Sequence, residues 1–224
     1  MTIGDSKAAR ANILGRIRKA QGRGASRPSQ AEQEAVQTYL RAHPRGPLPS
    51  LPANLVERFR ATAESMQSST EEVGSESDVP GAVARYLEHL GLPLHGCVWP
   101  ALAHMHWRTA GLELDPRAAI PEDRVGVTGA FAALAETGTL MLVSGPQTPA
   151  SVSLLPETHI AFVPASRVLP YMEDAWDRAR RAYGQLPRSV NFISGPSRTG
   201  DIEQKMVLGV HGPYRVHIII VQGS

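Results

Sequence analysis

A run of hydroxyl groups, glycines and one guanidinium between positions 194 and 201 has the composition of an anion-binding loop. Hydroxyls, glycine backbone amides and an arginine are the groups that bind carboxylate or phosphate oxygens. The two glycines of this run have the separation of a Walker phosphate loop, but Asp201 stands where that loop needs its lysine. The alternative is a tight turn with its arginine on the surface. The sequence therefore predicts a small carboxylate or phosphate site at Ser194, Gly195, Ser197, Arg198 and Thr199.

Glu136 is a second candidate, because its carboxylate lies between two apolar segments and next to a Thr-Gly pair at positions 137–138. A carboxylate that loses water in such a place holds its proton more tightly and can serve as an acid, a base or a nucleophile. The alternative is structural: the oxygens accept backbone N–H bonds and hold a turn together. The residues by themselves leave both interpretations open.

Few of these 224 residues are candidates to bind a metal ion or to take part in redox chemistry. The plausible metal constellation is His95, Cys97, His104 and His106, and its spacing matches no standard site. Cys97 is the single cysteine, which excludes an intramolecular disulfide and an iron–sulfur cluster held by this chain alone. One cysteine also predicts a reducing, cytoplasmic location, and no apolar run has the roughly 18 to 20 residues that span a membrane. We therefore expect no metal and no cofactor on this chain.

Two patterns of apolar residues divide the chain. Helical spacing over about 5–19, 29–42 and 53–67 predicts that residues 1–67 form an N-terminal helical extension, an arm and helices that pack on the rest. The polar, acidic stretch that follows, up to position 79, predicts a surface loop with one short edge strand. From position 80 helical and strand patterns alternate. Residues 68–224 are therefore predicted to form an α/β domain with a mostly parallel sheet covered by helices.

The clearest unit of this domain is a predicted strand over 159–163, a helix over 170–183 and a strand over 189–194. Proline at the helix start, acids in its first turn and glycine past its end support the helix. The unit predicts a right-handed crossover between two parallel strands that are adjacent or nearly so. Ligands of such sheets bind beyond the carboxyl ends of the strands. A ligand is therefore expected in the loops that follow Val143, Val163 and Ser194.

The small net charge of +2 hides an asymmetry along the chain. Residues 1–30 hold seven basic and one acidic side chain, which gives +6, so the rest, with 16 basic and 20 acidic side chains, carries −4. Such a basic arm can dock on a partner protein, on a nucleic acid or on its own domain. No aromatic side chain lies among the basic residues to stack on bases, so nucleic-acid binding is not expected.

Two short motifs, GVTGA at 126–130 and AETGTL at 135–140, resemble the signature of the LUD domain and, more narrowly, of the lactate utilization protein C family. The departure is Phe131, at a position where related sequences often have an acidic residue. The resemblance implies a fold similar to the NagB/RpiA/CoA-transferase superfamily. It continues through residues 153–156, 159–164, 193–203 and 208–213. It adds to the predicted ligand site the motif residues Thr128, Gly129, Thr137 and Gly138.

The resemblance also implies a function, the oxidation of L-lactate to pyruvate together with two partner proteins, at least one of them an iron–sulfur protein. In that system this chain is expected to be a non-redox subunit that binds a small carboxylate or organises its partners, with the iron–sulfur clusters on a partner. The alternative is a stand-alone enzyme, acyl- or CoA-transferase-like or isomerase-like. In that enzyme Glu136 is the catalytic nucleophile, by position in the wider superfamily, and the 194–201 loop is the oxyanion site.

Overall fold

The computed structural model describes residues 3–23, 27–202, 205–209 and 211–223. The chain divides into two compact units, Met1–Pro47 and Leu48–Ser224. In the described part of the chain no helix is both long and apolar enough to cross a membrane.

The first unit consists of two helices, α1 (Ile3–Ala20) and α2 (Gln30–Ala42). Ser29 caps α2, because its Oγ accepts the Glu32 N–H at 3.3 Å and the Glu32 carboxylate accepts the Ser29 N–H at 2.8 Å. Both helices keep apolar side chains exposed, and α2 buries no residue. The helices predicted over about 5–19 and 29–42 are confirmed.

The second unit alternates helices and strands along the chain. Its helices are α3 (Leu55–Ser65), α4 (Val79–His89), α5 (Ser151–Leu154) and α6 (Met172–Tyr183). Its strands are β1 (Ser69–Val73), β2 (His95–Val98), β3 (Glu113–Pro116), β4 (Val125–Gly129), β5 (Ala132–Leu134), β6 (Thr139–Val143), β7 (Thr158–Pro164), β8 (Val168–Leu169), β9 (Val190–Ile193), β10 (Arg198–Ile202), β11 (Lys205–Leu208) and β12 (Arg215–Val221).

Six of the strands form one parallel sheet in the order β1-β12-β7-β4-β2-β3. All residues of β12 from Val216 to Val221 are buried, which fits a parallel strand that is covered on both faces. β1 lies at one edge, where the acidic stretch 68–79 predicts a short edge strand. The α/β fold with a mostly parallel sheet is therefore confirmed.

Helices cover both faces of this sheet at β1. Side chains alternate between the two faces along a strand, so the neighbours Glu71 and Glu72 point in opposite directions. Glu71 forms an ion pair with Arg85 of α4, and Glu72 forms one with Arg60 of α3 at 2.7 Å. The two helices consequently lie on opposite faces, and buried apolar side chains of both join the main core.

Four strands form a second sheet in the order β8-β5-β6-β9, in which β5 and β8 run parallel and the other pairs antiparallel. Helix α6 packs on it and buries Ala175 and Ala179. The predicted crossover is therefore wrong, because β7 lies in the parallel sheet whereas β9 pairs antiparallel with β6. The cause is β8, which pairs with β5 and moves the chain to the second sheet before α6 begins. Two residues are too few to show a strand period in the sequence.

Candidate functional site

A cavity of about 290 Å³ lies at the carboxyl edge of the parallel sheet. Its lining includes Trp99, which follows β2, Gly129, which ends β4, and Pro164, which ends β7. These strands run parallel, so their carboxyl ends meet at the same edge, where ligands of open α/β sheets bind. Two of the three loops in which a ligand is expected, those after Val143 and Val163, contribute to the lining.

Much of the cavity wall is aromatic. Its rings belong to Trp99, Phe131, Phe162 and Tyr183. Trp99 is 6% exposed, and its indole N–H donates to the Pro149 carbonyl at 3.1 Å, which fixes the ring. Phe131 and Tyr183 contact each other, with ring centroids 5.5 Å apart. Apolar and aromatic walls with a few polar groups are typical of small-molecule sites.

Three polar side chains also line the cavity, those of Glu76, Thr148 and Arg167. The Arg167 Nη1–H donates to the Ala130 carbonyl at 3.5 Å, a long bond that leaves most of the guanidinium donors available. The Thr148 hydroxyl donates to the Val143 carbonyl at 2.9 Å. Within the described residues neither Glu76 nor Arg167 forms an ion pair. One cation and one anion, each without an ion-pair partner among the described residues, thus line the same space.

Of the predicted residues, Gly129 lines the cavity, whereas Thr128 lies inside the sheet. Thr128 and His159 are fully buried on neighbouring strands, and Thr128 Oγ1 and His159 Nε2 form a hydrogen bond of 2.8 Å. Burial lowers the pKa of His159 to about 4, so this ring is neutral near neutral pH. The structure therefore places the Thr128 hydroxyl in an internal hydrogen bond.

Two further predicted residues, Gly138 and Gly195, contact the C-terminal half of α3. Gly138 has a φ of 64°, and a Cβ there would lie 2.4 Å from the Ala63 nitrogen. Gly195 has a φ of 76°, and a Cβ there would lie 2.1 Å from the Met66 oxygen. At both positions only glycine permits the left-handed backbone and the close approach. Both glycines thus allow a loop to pack against a helix.

Hydroxyl and guanidinium groups join these loops to one another. The Thr137 hydroxyl donates to Thr139 Oγ1 at 2.8 Å, and the Thr139 hydroxyl donates to Ser194 Oγ at 3.1 Å. The Arg198 Nη2–H donates to the Met66 carbonyl at 3.0 Å, which satisfies a carbonyl at the end of α3. The structure therefore brings Thr137, Ser194 and Arg198 together between two loops and a helix.

Glu136 lies in the same turn, between β5 and β6, and is half-buried. Its backbone N–H donates to the Pro170 carbonyl at 3.1 Å. Its carboxylate has no hydrogen bond or ion pair with the part of the chain that the structure describes. Phe131 of the cavity wall lies at the opposite end of β5, and Glu136 is not among the residues that line the cavity. The carboxylate is therefore outside the cavity, near the cluster formed by the two loops and α3.

The loop predicted over 194–201 is shorter in the structure. β10 pairs antiparallel with β11, so Arg198 and Thr199 belong to a strand, and the side chain of Thr199 lies outside the described residues. The Ser197 N–H donates to the Pro213 carbonyl, and the Ser197 carbonyl accepts the Gly209 N–H, both at 2.9 Å. The sequence of β10, RTGDI, contains glycine and aspartate, which are depleted in strands, and this explains why it was predicted as a loop.

Cys97 is fully buried in β2, and its thiol donates to the Val125 carbonyl at 3.7 Å. Burial, with a smaller effect of the nearby Asp123 carboxylate, raises the pKa of this thiol to about 12. Asp123 accepts two hydrogen bonds from Arg117, at 2.6 and 2.9 Å. The three histidines of the predicted metal constellation, His95, His104 and His106, are exposed. Among the described residues no three His, Cys, Asp or Glu side chains are placed to hold a metal ion.

A second buried histidine, His217 of β12, lies under α4. Its Nδ1 and Ser69 Oγ form a hydrogen bond of 2.9 Å, and its ring stacks on Tyr86 with centroids 3.9 Å apart. Its Nε2 lies 3.9 Å from a carboxylate oxygen of Glu71. Burial lowers the pKa of His217 to about 4, although the charge of Glu71 opposes the shift. This ring too is neutral near neutral pH.

Residues 115–221, from within β3 to the end of β12, match the family model of the LUD domain. This segment supplies most of the cavity lining and both glycine turns, so the larger unit is built on a LUD domain. A solved structure has a similar fold. The crystal structure of a duf162 family protein from Deinococcus radiodurans is 23% identical and aligns with a TM-score of 0.59, over 77% of this chain and 99% of that chain.

Curated relatives narrow the class further. Lactate utilization protein C of Halalkalibacterium halodurans is 46% identical over 101 residues, 44% of this chain and 44% of that relative. The protein of the same name from Bacillus subtilis is 44% identical over 100 residues, which are 43% of this chain and 42% of that relative. The one from Bacillus licheniformis is 38% identical over 130 residues, which are 55% of this chain and 53% of that relative. Over this segment the chain is similar to the lactate utilization protein C family, and its match spans about half the length of these relatives.

Proposed function

We propose that this protein takes part in L-lactate utilization, the oxidation of lactate to pyruvate, as a component that carries no electrons itself. The observation that carries the proposal is the sequence identity of 38–46% to relatives named lactate utilization protein C. In this proposal the iron–sulfur clusters belong to partner proteins, to which the electrons of lactate pass. The site of action is the cytoplasm.

The donor set of the chain supports the non-redox part of this proposal. An iron–sulfur cluster is commonly held by several thiolates. Cys97 is the single cysteine of these 224 residues, its side chain is fully buried, and its raised pKa keeps it a thiol. A thiol held in this way is a poor metal ligand and a poor redox group.

Copurification from lactate-grown cells tests the partner claim. A tagged chain is expected to retain a partner with iron, acid-labile sulfide and visible absorption. Cells that lack this protein are expected not to grow on lactate as sole carbon source, and growth is expected to return with both the wild-type chain and Cys97→Ala. Normal growth of the deletion strain would contradict the pathway. Failure of a folded Cys97→Ala chain to restore growth would contradict the non-redox role.

The basic arm is the proposed docking element for such a partner. Residues 1–30 carry +6, and Ile13 and Ile17 of α1 are 58% and 46% exposed at helical spacing. An acidic partner surface with an apolar groove would complement both features. We expect copurification to weaken as salt rises, and to be lost when both isoleucines are replaced by Ser. Replacement of exposed Leu90, in the other unit, is the control and is expected to leave the partner bound.

A second candidate function, acyl transfer, is favoured by one observation, the half-buried Glu136 carboxylate that has no partner within the described residues. In this reaction a carboxylate oxygen attacks the carbonyl carbon of a thioester, an acyl-glutamyl anhydride forms, and the thiolate leaves. The purified wild-type chain is expected to release thiolate from a thioester, and Glu136→Gln is expected to abolish this release without loss of unfolding free energy. Thiolate release by Glu136→Gln at the wild-type rate would reject a catalytic role for this residue.

A further inference from the structure

We propose that the carboxyl-edge cavity binds a flat organic anion, a molecule that joins an aromatic or conjugated ring to a carboxylate or phosphate group. The proposal concerns the cavity alone and does not depend on the role in lactate utilization. Three features of the cavity lead to it: its size, its aromatic walls and the guanidinium that lines it.

The size of the cavity sets the size of the ligand. A volume of about 290 Å³ equals the liquid volume of about ten water molecules, at roughly 30 Å³ each. Lactate and pyruvate have no ring and would leave much of this space to water. An acid with one aromatic ring fills it.

The walls determine the shape of the ligand. Gly129 lines the cavity beside two of its rings, because a Cβ at this position would be in ordinary contact with both, 3.7 Å from Trp99 Cζ3 and 3.9 Å from Phe162 Cζ. Without a side chain at Gly129, both rings stay accessible from the cavity. A flat ring in the cavity can make stacked or edge-to-face contacts with these aromatic walls, which a saturated ligand does not make.

The charges determine the polar groups of the ligand. Arg167 has no ion-pair partner in the described part of the chain, and its planar fork binds carboxylate or phosphate oxygens with two parallel hydrogen bonds. Glu76 lines the same cavity and accepts hydrogen bonds only, when ionised. The favoured ligand therefore carries a hydroxyl or amino donor in addition to its anionic group.

Calorimetric titration of the full chain with defined probes tests this. The anions are para-hydroxybenzoate and phenyl phosphate, which distinguish a carboxylate from a phosphate ligand. The controls are the neutral para-hydroxybenzamide and lactate. We expect saturable binding of at least one ring anion, and binding weaker by about tenfold or more for both controls. Binding of the amide as tight as that of para-hydroxybenzoate, or no saturable binding of either anion, would overturn the proposal.

Variants place the binding in the cavity. Arg167→Gln is expected to weaken the binding of the anions by about tenfold or more. Arg124→Gln, the same charge change at the opposite end of β4, is expected to leave their affinity unchanged. Gly129→Ala adds a methyl group at ordinary contact distances, so it is expected to fold and to bind a few-fold more weakly. Glu76→Ala is expected to weaken the binding of para-hydroxybenzoate but not that of benzoate. Equal affinity of Arg167→Gln and wild type refutes the assignment.

Discussion

Lowering the pH from about 7 to about 4.5 protonates histidines in the unfolded chain but not His159 and His217 in the folded protein. The ordinary histidine pKa is 6.5, and burial holds both folded-state values at about 4. Between these values the unfolded state binds more protons than the folded state, so the free energy of unfolding falls as the pH falls. The stabilisation is complete above pH 6.5 and is lost progressively toward pH 4.

The size of the loss follows from the two shifts. Each histidine contributes about 3 kcal/mol over the full interval and about 2 kcal/mol by about pH 4.5, at about 1.4 kcal/mol per pKa unit. Together they remove about 4 kcal/mol, a large part of the roughly 5 to 15 kcal/mol by which proteins are stable. Hydrogen bonds from arginine lower the carboxyl pKa values of Asp123 and Glu72. These two groups therefore add a further loss of stability only as the pH approaches and falls below their ordinary pKa values of 3.8 and 4.5.

Urea unfolding at a series of pH values measures this loss. His159→Gln removes the titrating ring while its amide can still bond to Thr128, so we expect the slope of stability against pH to fall by about half between pH 6.5 and about 4.5. His95→Gln, an exposed histidine at the start of β2, is the control and should keep the wild-type slope. A wild-type slope in His159→Gln would show that burial does not hold this ring neutral.

Three further predictions concern stability and reactivity. Gly138→Ala is expected to lower the free energy of unfolding in urea by about 3 kcal/mol, because its Cβ would meet the backbone of α3. Gly91→Ala, at a φ of 62° in open space, is expected to lower it by about 1 kcal/mol, and equal losses for the two variants would reject the packing argument. Asp123→Asn weakens the part-buried ion pair with Arg117, which has two hydrogen bonds, and is expected to lower the free energy of unfolding by about 2 kcal/mol. Glu157→Gln, in an exposed ion pair with Arg124, is expected to lower it by less than about 1 kcal/mol, and a larger loss for Glu157→Gln than for Asp123→Asn would contradict this. Cys97 is expected to remain unreactive toward Ellman's reagent near neutral pH until the chain is denatured, and fast labelling of the native protein would be inconsistent with its burial.

Elements with a strong local pattern could be predicted from the sequence. α6 is a clear case, because acids at its start, arginines in its last turn and Gly184 after its end agree with the helix macrodipole and with helix termination. The strands β6 and β12 are also clear in the sequence, since each is an apolar run between turn residues, interrupted in β12 only by His217. What a local pattern does not contain is the partner of a strand, which is why β9 was predicted in the wrong sheet.

The candidate site was predicted less completely for the same reason. Trp99, Phe131 and Phe162 line one cavity, yet they come from three distant segments, and no spacing in the sequence connects them. The useful signal was topological, the carboxyl ends of the parallel strands. Gly138 and Gly195 look like ligand-loop glycines locally, but the backbone that approaches each of them belongs to α3 and the residue after it, more than sixty residues away in the chain.

The position of β12 bears on how the protein is made. This strand lies between β1 and β7, and it is the neighbour that joins β1 to the sheet, with Ser69 paired to His217. Contacts this distant in sequence form slowly, and the order of synthesis delays them further. Until Arg215–Val221 has left the ribosome, β1 and β7 each present an open edge to other chains. The central sheet therefore stays incomplete until late in translation, and chains cut short before position 215 are expected to keep both strand edges open.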